Sequence, residues 1–308
     1  MPSLDQDWLL SAGDRALWPA AHRGRSAEGR SRGRRAHPAN PVDTDPVSAD
    51  LDALRDALLR WYARTRRDLP WRRTDDPYAI LVSEVMLQQT QVARVVPRYL
   101  EWLARWPTAA ALAAASRAEV LAAWVGLGYN RRALALHAAA AEVARDGWPE
   151  DLRALPGVGP YTAAAVASFA FGAQVAAVDT NVRRVAERLG RGAPDALVPP
   201  GRAADWNQAA MELGATVCTA RTPRCGACPV AAWCASAGRP AVPAAGARRA
   251  AGERFEDSNR WVRGRIVAAL ANGEGLPADI ATERVERALA GLVHDGLVRP
   301  VDGGFSLG

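Results

Sequence analysis

All four cysteines of this 308-residue chain fall in one short stretch, spaced Cys218-x6-Cys225-x2-Cys228-x5-Cys234. Structural thiols scatter along a chain, whereas a cluster of this density marks ligands and obliges the fold to close a loop around whatever they bind. Zinc sites commonly offer two separated pairs of ligands. Here one Cys225-x2-Cys228 pair is flanked by single cysteines, a compact arrangement that can wrap a cubic 4Fe-4S cluster with one thiolate on each iron. Pro223 and Pro229 stiffen the loop, so fewer conformations are lost on binding. Spacing alone leaves structural zinc as the alternative.

The remainder is helical in pattern. Leu51, Leu54, Leu58, Leu59 and Tyr62 recur at three to four residues and predict one apolar helix face. A loop bracketed by Pro70 and Pro77 follows, then a helix over 80–87. Further helices are predicted at 92–105, 117–125, 131–145, 160–171, 178–189 and 202–215, separated by Pro and Gly breaks. No strand-type alternation competes between 51 and 215, so the fold class is all-α. Residues 239–253 read as an Ala/Pro/Gly/Arg linker. Residues 254–308 read as helix, helix, hairpin: 261–270, 280–294, and 298–307 around Asp302-Gly303-Gly304, the pattern of a small winged-helix-like module. Residues 1–50, rich in Pro, Gly, Ser, Arg and Asp, read as a disordered or non-native extension, with a nucleic-acid-binding arm as the alternative. No stretch approaches the roughly 18 apolar residues of a membrane span. No signal-peptide core is present either, and a cytoplasmic protein without a membrane partner is expected.

Formal net charge is +6, which suits a polyanionic partner such as nucleic acid. Every one of the 39 basic residues is arginine, so no chemistry through a lysine Schiff base is open to the chain. Leu155-Pro156-Gly157-Val158-Gly159-Pro160-Tyr161 joins two helices through a Gly-x-Gly turn. Its glycines permit positive φ and close backbone approach, and amides at the next helix start point outward where a phosphate can accept them. Glu84 stands among apolar neighbours in Ile80-Leu81-Val82-Ser83-Glu84-Val85-Met86-Leu87, where desolvation raises a carboxyl pKa toward the general-acid range. The alternative is a solvated helix strip. Asp179 stands at the step from an apolar segment into a helix, where Asp also serves as an N-cap.

Taken together, several runs match one pattern in order and interval from about 55 to 236. They are Leu69-Pro70-Trp71-Arg72, Ser83-Glu84-Val85-Met86-Leu87-Gln88-Gln89-Thr90-Gln91-Val92, Gly126-Leu127-Gly128-Tyr129, the Gly-x-Gly hairpin, Val178-Asp179-Thr180-Asn181-Val182-Arg183-Arg184-Val185 and the cysteine array. They resemble the MutY family of adenine DNA glycosylases, in the helix-hairpin-helix (endonuclease III) superfamily. The resemblance implies a six-helix barrel with the hairpin, and a second helical region that holds a 4Fe-4S cluster on Cys218, Cys225, Cys228 and Cys234. It implies Glu84 as the acid that protonates adenine at N7, and Asp179 as the carboxylate that stabilises an oxocarbenium-like sugar, supported by Tyr161 and Asn181. Gln89, Thr90 and Tyr129 would fill or wedge the duplex, with Arg72, Gly157, Val158 and Gly159 also at the DNA. The implied substrate is double-stranded DNA with adenine opposite 8-oxoguanine or guanine, the adenine being flipped out by a monomeric, nucleoid-associated bacterial enzyme. One protonated and one ionised carboxyl group is the division of labour of glycoside hydrolysis. Related lyases carry a lysine where Tyr161 stands, so a monofunctional enzyme is expected. The alternatives are a glycosylase for thymine or uracil opposite guanine, and a non-catalytic lesion-binding protein.

Two departures from the pattern stand out. Thr180 occupies a position where glycine is commoner in the family. About 70 residues follow the cysteines, too few for the Nudix-like domain of long members, so a short form is expected. In that form 51–238 is the glycosylase region and 254–308 the appended module.

Overall fold

The computed structural model describes residues 46–239 and 254–308. The expectations for 1–45 and for the linker over 240–253 lie outside the described residues. Within them the protein is α-helical, with one two-stranded hairpin near the C-terminal end.

The described residues open with α1 (Pro46–Thr65), which leads to α2 (Pro77–Leu87) through a 3-10 turn at Pro70–Arg72. Asp76 caps α2 by accepting from the Tyr78 amide, and Pro77 supplies the preset φ of a first turn. Every residue from Tyr78 to Met86 is buried, as expected for a helix that is apolar on all sides. Then come α3 (Val92–Arg105), α4 (Ala109–Ala113) and α5 (Arg117–Ala123), the last opened by a reciprocal Ser116–Glu119 capping box. After α6 (Arg131–Asp146), the Gly-x-Gly turn leads into α7 (Pro160–Phe171). Next are α8 (Thr180–Leu189), α9 (Pro194–Leu197) and α10 (Ala203–Thr216), followed by the cysteine loop. The C-terminal segment comprises α11 (Asn259–Ala271), α12 (Thr282–His294), β1 (Val298–Val301) and β2 (Gly304–Leu307). The strands pair antiparallel, Val298 opposite Leu307 and Val301 opposite Gly304, across a two-residue Asp302-Gly303 turn. Among the described residues, no helix is long and apolar enough to cross a membrane.

Two hydrophobic cores organise these elements. One is filled by α2 to α7, with Met86, Trp102, Trp124 and Leu136 at its centre, and it continues without a break into Val262, Ile266, Leu292 and Leu307 of the C-terminal segment. That segment therefore shares the core of the helices before it. In the second core α1 crosses over, so that Leu54, Leu58 and Tyr62 pack with Val185 and Leu189 of α8, Trp206 and Leu213 of α10, and Val230 of the cysteine loop. The helix predicted over 178–189 begins two residues later because Asp179 is its cap. Helices α4 and α9, too short to show a period, are not visible in the sequence pattern.

Candidate active site

The two cores meet where α2 and α7 face α8 and α10, and the singled-out carboxylates stand there. Glu84 is 5% exposed. Burial pushes its pKa up to about 7, the nearby charge of Asp179 adds to the rise, and the Tyr161 hydrogen bond and the Arg72 charge oppose it. Tyr161, in the first turn of α7, donates its hydroxyl to Glu84 Oε2 at 2.8 Å. Burial and the neighbouring Glu84 hold that phenol well above its ordinary pKa, so it stays a donor. A buried carboxyl near neutrality can release a proton, and a fixed phenol can orient it.

Asp179 is the N-cap of α8, and it accepts on both oxygens. Oδ1 takes the Val182 amide at 2.7 Å and Oδ2 takes the Asn181 side-chain amide at 2.8 Å. Capping and positioning are thus one geometry: the helix start that the cap stabilises also aims the carboxylate. Asn181 Oδ1 accepts in turn from Arg184 Nη2, whose guanidinium also donates to the carbonyls of Gly214 and Cys218. A continuous polar chain therefore runs from Asp179 to the first cysteine.

The cysteine loop is held by the same helix. Arg188 donates to the Cys218 sulfur at 3.3 Å and to the carbonyls of Thr219 and Ala220, while Val230, Trp233 and three of the cysteines pack into the second core. A single zinc ion at about 2.3 Å from each sulfur draws thiolates to about 3.8 Å of one another. Among the described residues, no three Cys, His, Asp or Glu side chains converge in that way. Yet burial, and the charges of Cys218, Cys234 and Cys225, raise the pKa of Cys228, so the four thiols share one neighbourhood. Four cysteines on one half-buried loop, with an arginine at the first sulfur, are a donor set that suits a cubic cluster.

Gln89 and Tyr129 are the only described non-glycine residues with positive φ, at 56° and 49°. Strain at exposed residues needs a framework to hold it, and Arg132 supplies it. Its Nη1 donates to the carbonyls of Val85 and Gln88, and its Nη2 to those of Leu127 and Gly128, with Thr90 Oγ1 at 3.3 Å. One guanidinium thus closes the orphan carbonyls at the end of α2 and ties them to the loop that carries Tyr129. Desolvation lowers its pKa to about 10. Sequence reasoning missed Arg132, and also Arg184. In the hairpin, Gly157 has φ 74°, and a Cβ there would stand 2.7 Å from Ala135 Cβ. Gly157 and Gly159 are exposed, Val158 is buried, and α7 starts without a side-chain cap, which leaves its first amides facing outward.

Arg72 is placed differently from the expectation of a DNA contact. Its guanidinium is 8% exposed and turned inward, donating to Gln208 Oε1, Glu212 Oε2 and the Arg67 carbonyl. Every nitrogen of the fork is engaged. Its charge reaches Glu84 instead.

Comparison with known proteins gives this geometry a family. Residues 82–197 match the model of the HhH-GPD superfamily base excision DNA repair proteins, and residues 218–234, first cysteine to last, match the iron–sulfur binding domain of endonuclease III. The chain is 48% identical over 283 residues to the adenine DNA glycosylase of Mycobacterium tuberculosis, covering 81% of this chain and 92% of that protein. It is 45% identical to the adenine DNA glycosylase of Homo sapiens over 60% of this chain and 40% of that one. Among solved structures, a thermostable thymine-DNA glycosylase superposes with a TM-score of 0.58 at 30% identity, over 62% of this chain and 98% of the other. The identity is higher with both adenine DNA glycosylases, and the match to the Mycobacterium tuberculosis protein reaches further along this chain. The chain belongs to the adenine DNA glycosylase family of the HhH-GPD superfamily, a base excision repair enzyme with a 4Fe-4S cluster on its cysteine loop.

Proposed function

We propose that this adenine DNA glycosylase removes adenine paired with 8-oxoguanine or guanine in duplex DNA, with Glu84 as general acid and Asp179 as the carboxylate facing the sugar. The observation that carries the reading is the buried Glu84, its pKa pushed up to about 7, within reach of the Asp179 charge and fixed by the Tyr161 phenol. Two carboxyl groups in such different surroundings take opposite roles. Glu84 gives its proton to the flipped base, so the glycosidic bond breaks with its electron pair leaving on a neutral adenine. The sugar is left positive, and Asp179, an acceptor held by two hydrogen bonds, stabilises it until water adds to the anomeric carbon and loses a proton. Asn181 and Arg184 keep Asp179 aimed.

The DNA surface in this reading is made of Gln89, Thr90, Tyr129 and the hairpin from Gly157 to Gly159. The strained Gln89 and Tyr129 enter the duplex at the mispair, and the uncapped start of α7 offers amides to a phosphate. Arg72 belongs behind the site, where it holds Glu212 and lowers the pKa of Glu84. Cys218, Cys225, Cys228 and Cys234 would hold the cluster, which when bound would cross-link the loop to itself, while Arg184 and Arg188 of α8 hold the loop's backbone. No lysine is present for strand cleavage through a Schiff base.

A single-turnover panel tests the proposal, with adenine opposite 8-oxoguanine, guanine, cytosine and thymine, and with thymine or uracil opposite guanine. Expected are fast adenine release opposite 8-oxoguanine and guanine, and strand scission only after alkali. Release of thymine or uracil at a comparable rate overturns the substrate assignment. Nicking without alkali overturns the monofunctional one.

A further inference from the structure

A file of alternating aromatic rings and guanidinium groups leads from the buried core to the C-terminal segment. The Arg132 guanidinium carbon lies 5.3 Å from the Trp124 ring and 5.6 Å from the Tyr129 ring. That of Arg260 lies 5.0 Å from Tyr129 and 5.3 Å from Phe255. All four distances are in cation–π range. Arg260 also donates from Nη1 to the Tyr129 hydroxyl, between residues 131 apart in sequence. Trp124 is fully buried, but Tyr129 is 42% and Phe255 52% exposed. The outer end of the file therefore presents aromatic faces to solvent beside cations.

Among the described residues, nothing accounts for that exposure. Arg263 and Arg265, on the same helix as Arg260, pair with Asp295 and Asp279, whereas among the described residues no carboxylate pairs with Arg260. Among the described residues its partners are the Tyr129 and Phe255 rings and the Tyr129 hydroxyl. The turn bearing Phe255 is anchored, since Ser258 Oγ donates to the Phe255 carbonyl and Arg284 donates to that of Glu256. Glu256 and Asp257 on the same turn repel a run of phosphates. A surface of this make-up favours base faces and one phosphate over a stretch of backbone.

We propose that Phe255 and Arg260 extend the DNA-contacting surface of Tyr129 from the C-terminal module. The phenyl ring stacks on an unstacked base beside the flipped adenine. The Arg260 guanidinium fixes Tyr129 and reaches a phosphate. The inference rests on the reading above that Tyr129 enters the duplex at the mispair, and it makes the module a part of the nucleic-acid site.

The test is anisotropy of a labelled duplex carrying a cleavage-resistant 2′-fluorinated adenine nucleotide opposite 8-oxoguanine, titrated at several salt concentrations with the full-length, cluster-loaded protein. Phe255→Ala is expected to weaken binding about fivefold or more with no change in salt dependence, because a stacked base releases no counterion. Arg260→Ala is expected to weaken binding about tenfold and to reduce the slope of log K against log salt by about 0.9. Arg260→Lys should restore the slope and part of the affinity. Matching cluster absorbance and circular dichroism show that the variants are folded. If the parent binds the mispair tightly and a variant binds with the parent's Kd and slope, that residue's part is overturned while the proposed function stands. If the parent itself does not prefer the mispaired duplex over a matched one, both fall.

Discussion

The Tyr161 hydroxyl, carried by the first turn of α7, donates to Oε2 of Glu84 on α2 at 2.8 Å. A donor to a carboxylate favours its charged form, so this bond holds the pKa of Glu84 below the value that burial alone would impose. The tyrosine is therefore a tuning residue, and the sign of its removal follows. In Tyr161→Phe the pKa of Glu84 rises. The alkaline limb of adenine release should move to higher pH, by about one unit for a charged hydrogen bond of ordinary strength. Single-turnover rates across neutral and alkaline pH measure the limb. A tyrosine that only fills space would lower the rate and leave the limb where it was.

Glu84 itself links activity to stability. Its pKa is raised from 4.5 to about 7 in the folded chain, so the native state favours the protonated form. That contribution is fully present below about pH 4.5, and it is lost as pH rises through about 7. Glu84→Gln keeps the shape and removes the titration. Adenine release should fall by about 10² to 10⁴, the range for a lost general acid, with duplex binding retained. Denaturant midpoints should show the parent losing on the order of 2 kcal/mol between pH 5 and 8 that the glutamine variant does not lose. Parallel pH-stability curves would remove the buried-acid assignment, and unchanged release would remove the catalytic one.

Much of this site is legible in the sequence, because its signals are local. The uninterrupted apolar run around Glu84 predicts burial, and Asp179 at the foot of an amphipathic helix predicts a cap, which is also its aiming device. The cysteine spacing needs no partner element. What escapes sequence reasoning is long-range convergence. Arg132 is one arginine among many until α2 and the 127–128 carbonyls are brought to it. The resemblance places Arg72 at the DNA, and Gln208 and Glu212, 136 and 140 positions away, turn it inward. Likewise, nothing in the helix-helix-hairpin pattern of 254–308 announces that its apolar residues complete the preceding core.

The cluster loop should be a stability element for one side of the molecule. Val230, Trp233 and three cysteines belong to the second core, and Arg184 and Arg188 of α8 are bonded to the loop's backbone. Removing iron with a chelator under reducing conditions should lower the melting temperature. Adenine release should fall with it, because the chain from Cys218 through Arg184 and Asn181 to Asp179 slackens. Melting curves recorded alongside the cluster's visible absorbance check this. An apoprotein with unchanged melting and release would show that the loop holds itself.

Gly214 separates packing from propensity. It lies inside α10, where alanine is ordinarily the better residue by about 1 kcal/mol. A Cβ at Gly214 would stand 2.6 Å from Asn181 Cβ and 3.2 Å from both its Cα and carbonyl oxygen. Two of those atoms are backbone, so the contact is relieved only by moving the start of α8. That motion pulls the Asn181 amide from Asp179 Oδ2, and it disturbs the Gly214 carbonyl that Arg184 binds. Gly214→Ala should therefore destabilise the protein by about 1–3 kcal/mol, as overpacked cores do, and slow adenine release while duplex affinity is kept. Denaturant unfolding and single-turnover kinetics read the two effects separately. A variant stabilised by its helix propensity, with release unchanged, would mean that the approach of α8 to α10 has no part in aiming Asp179.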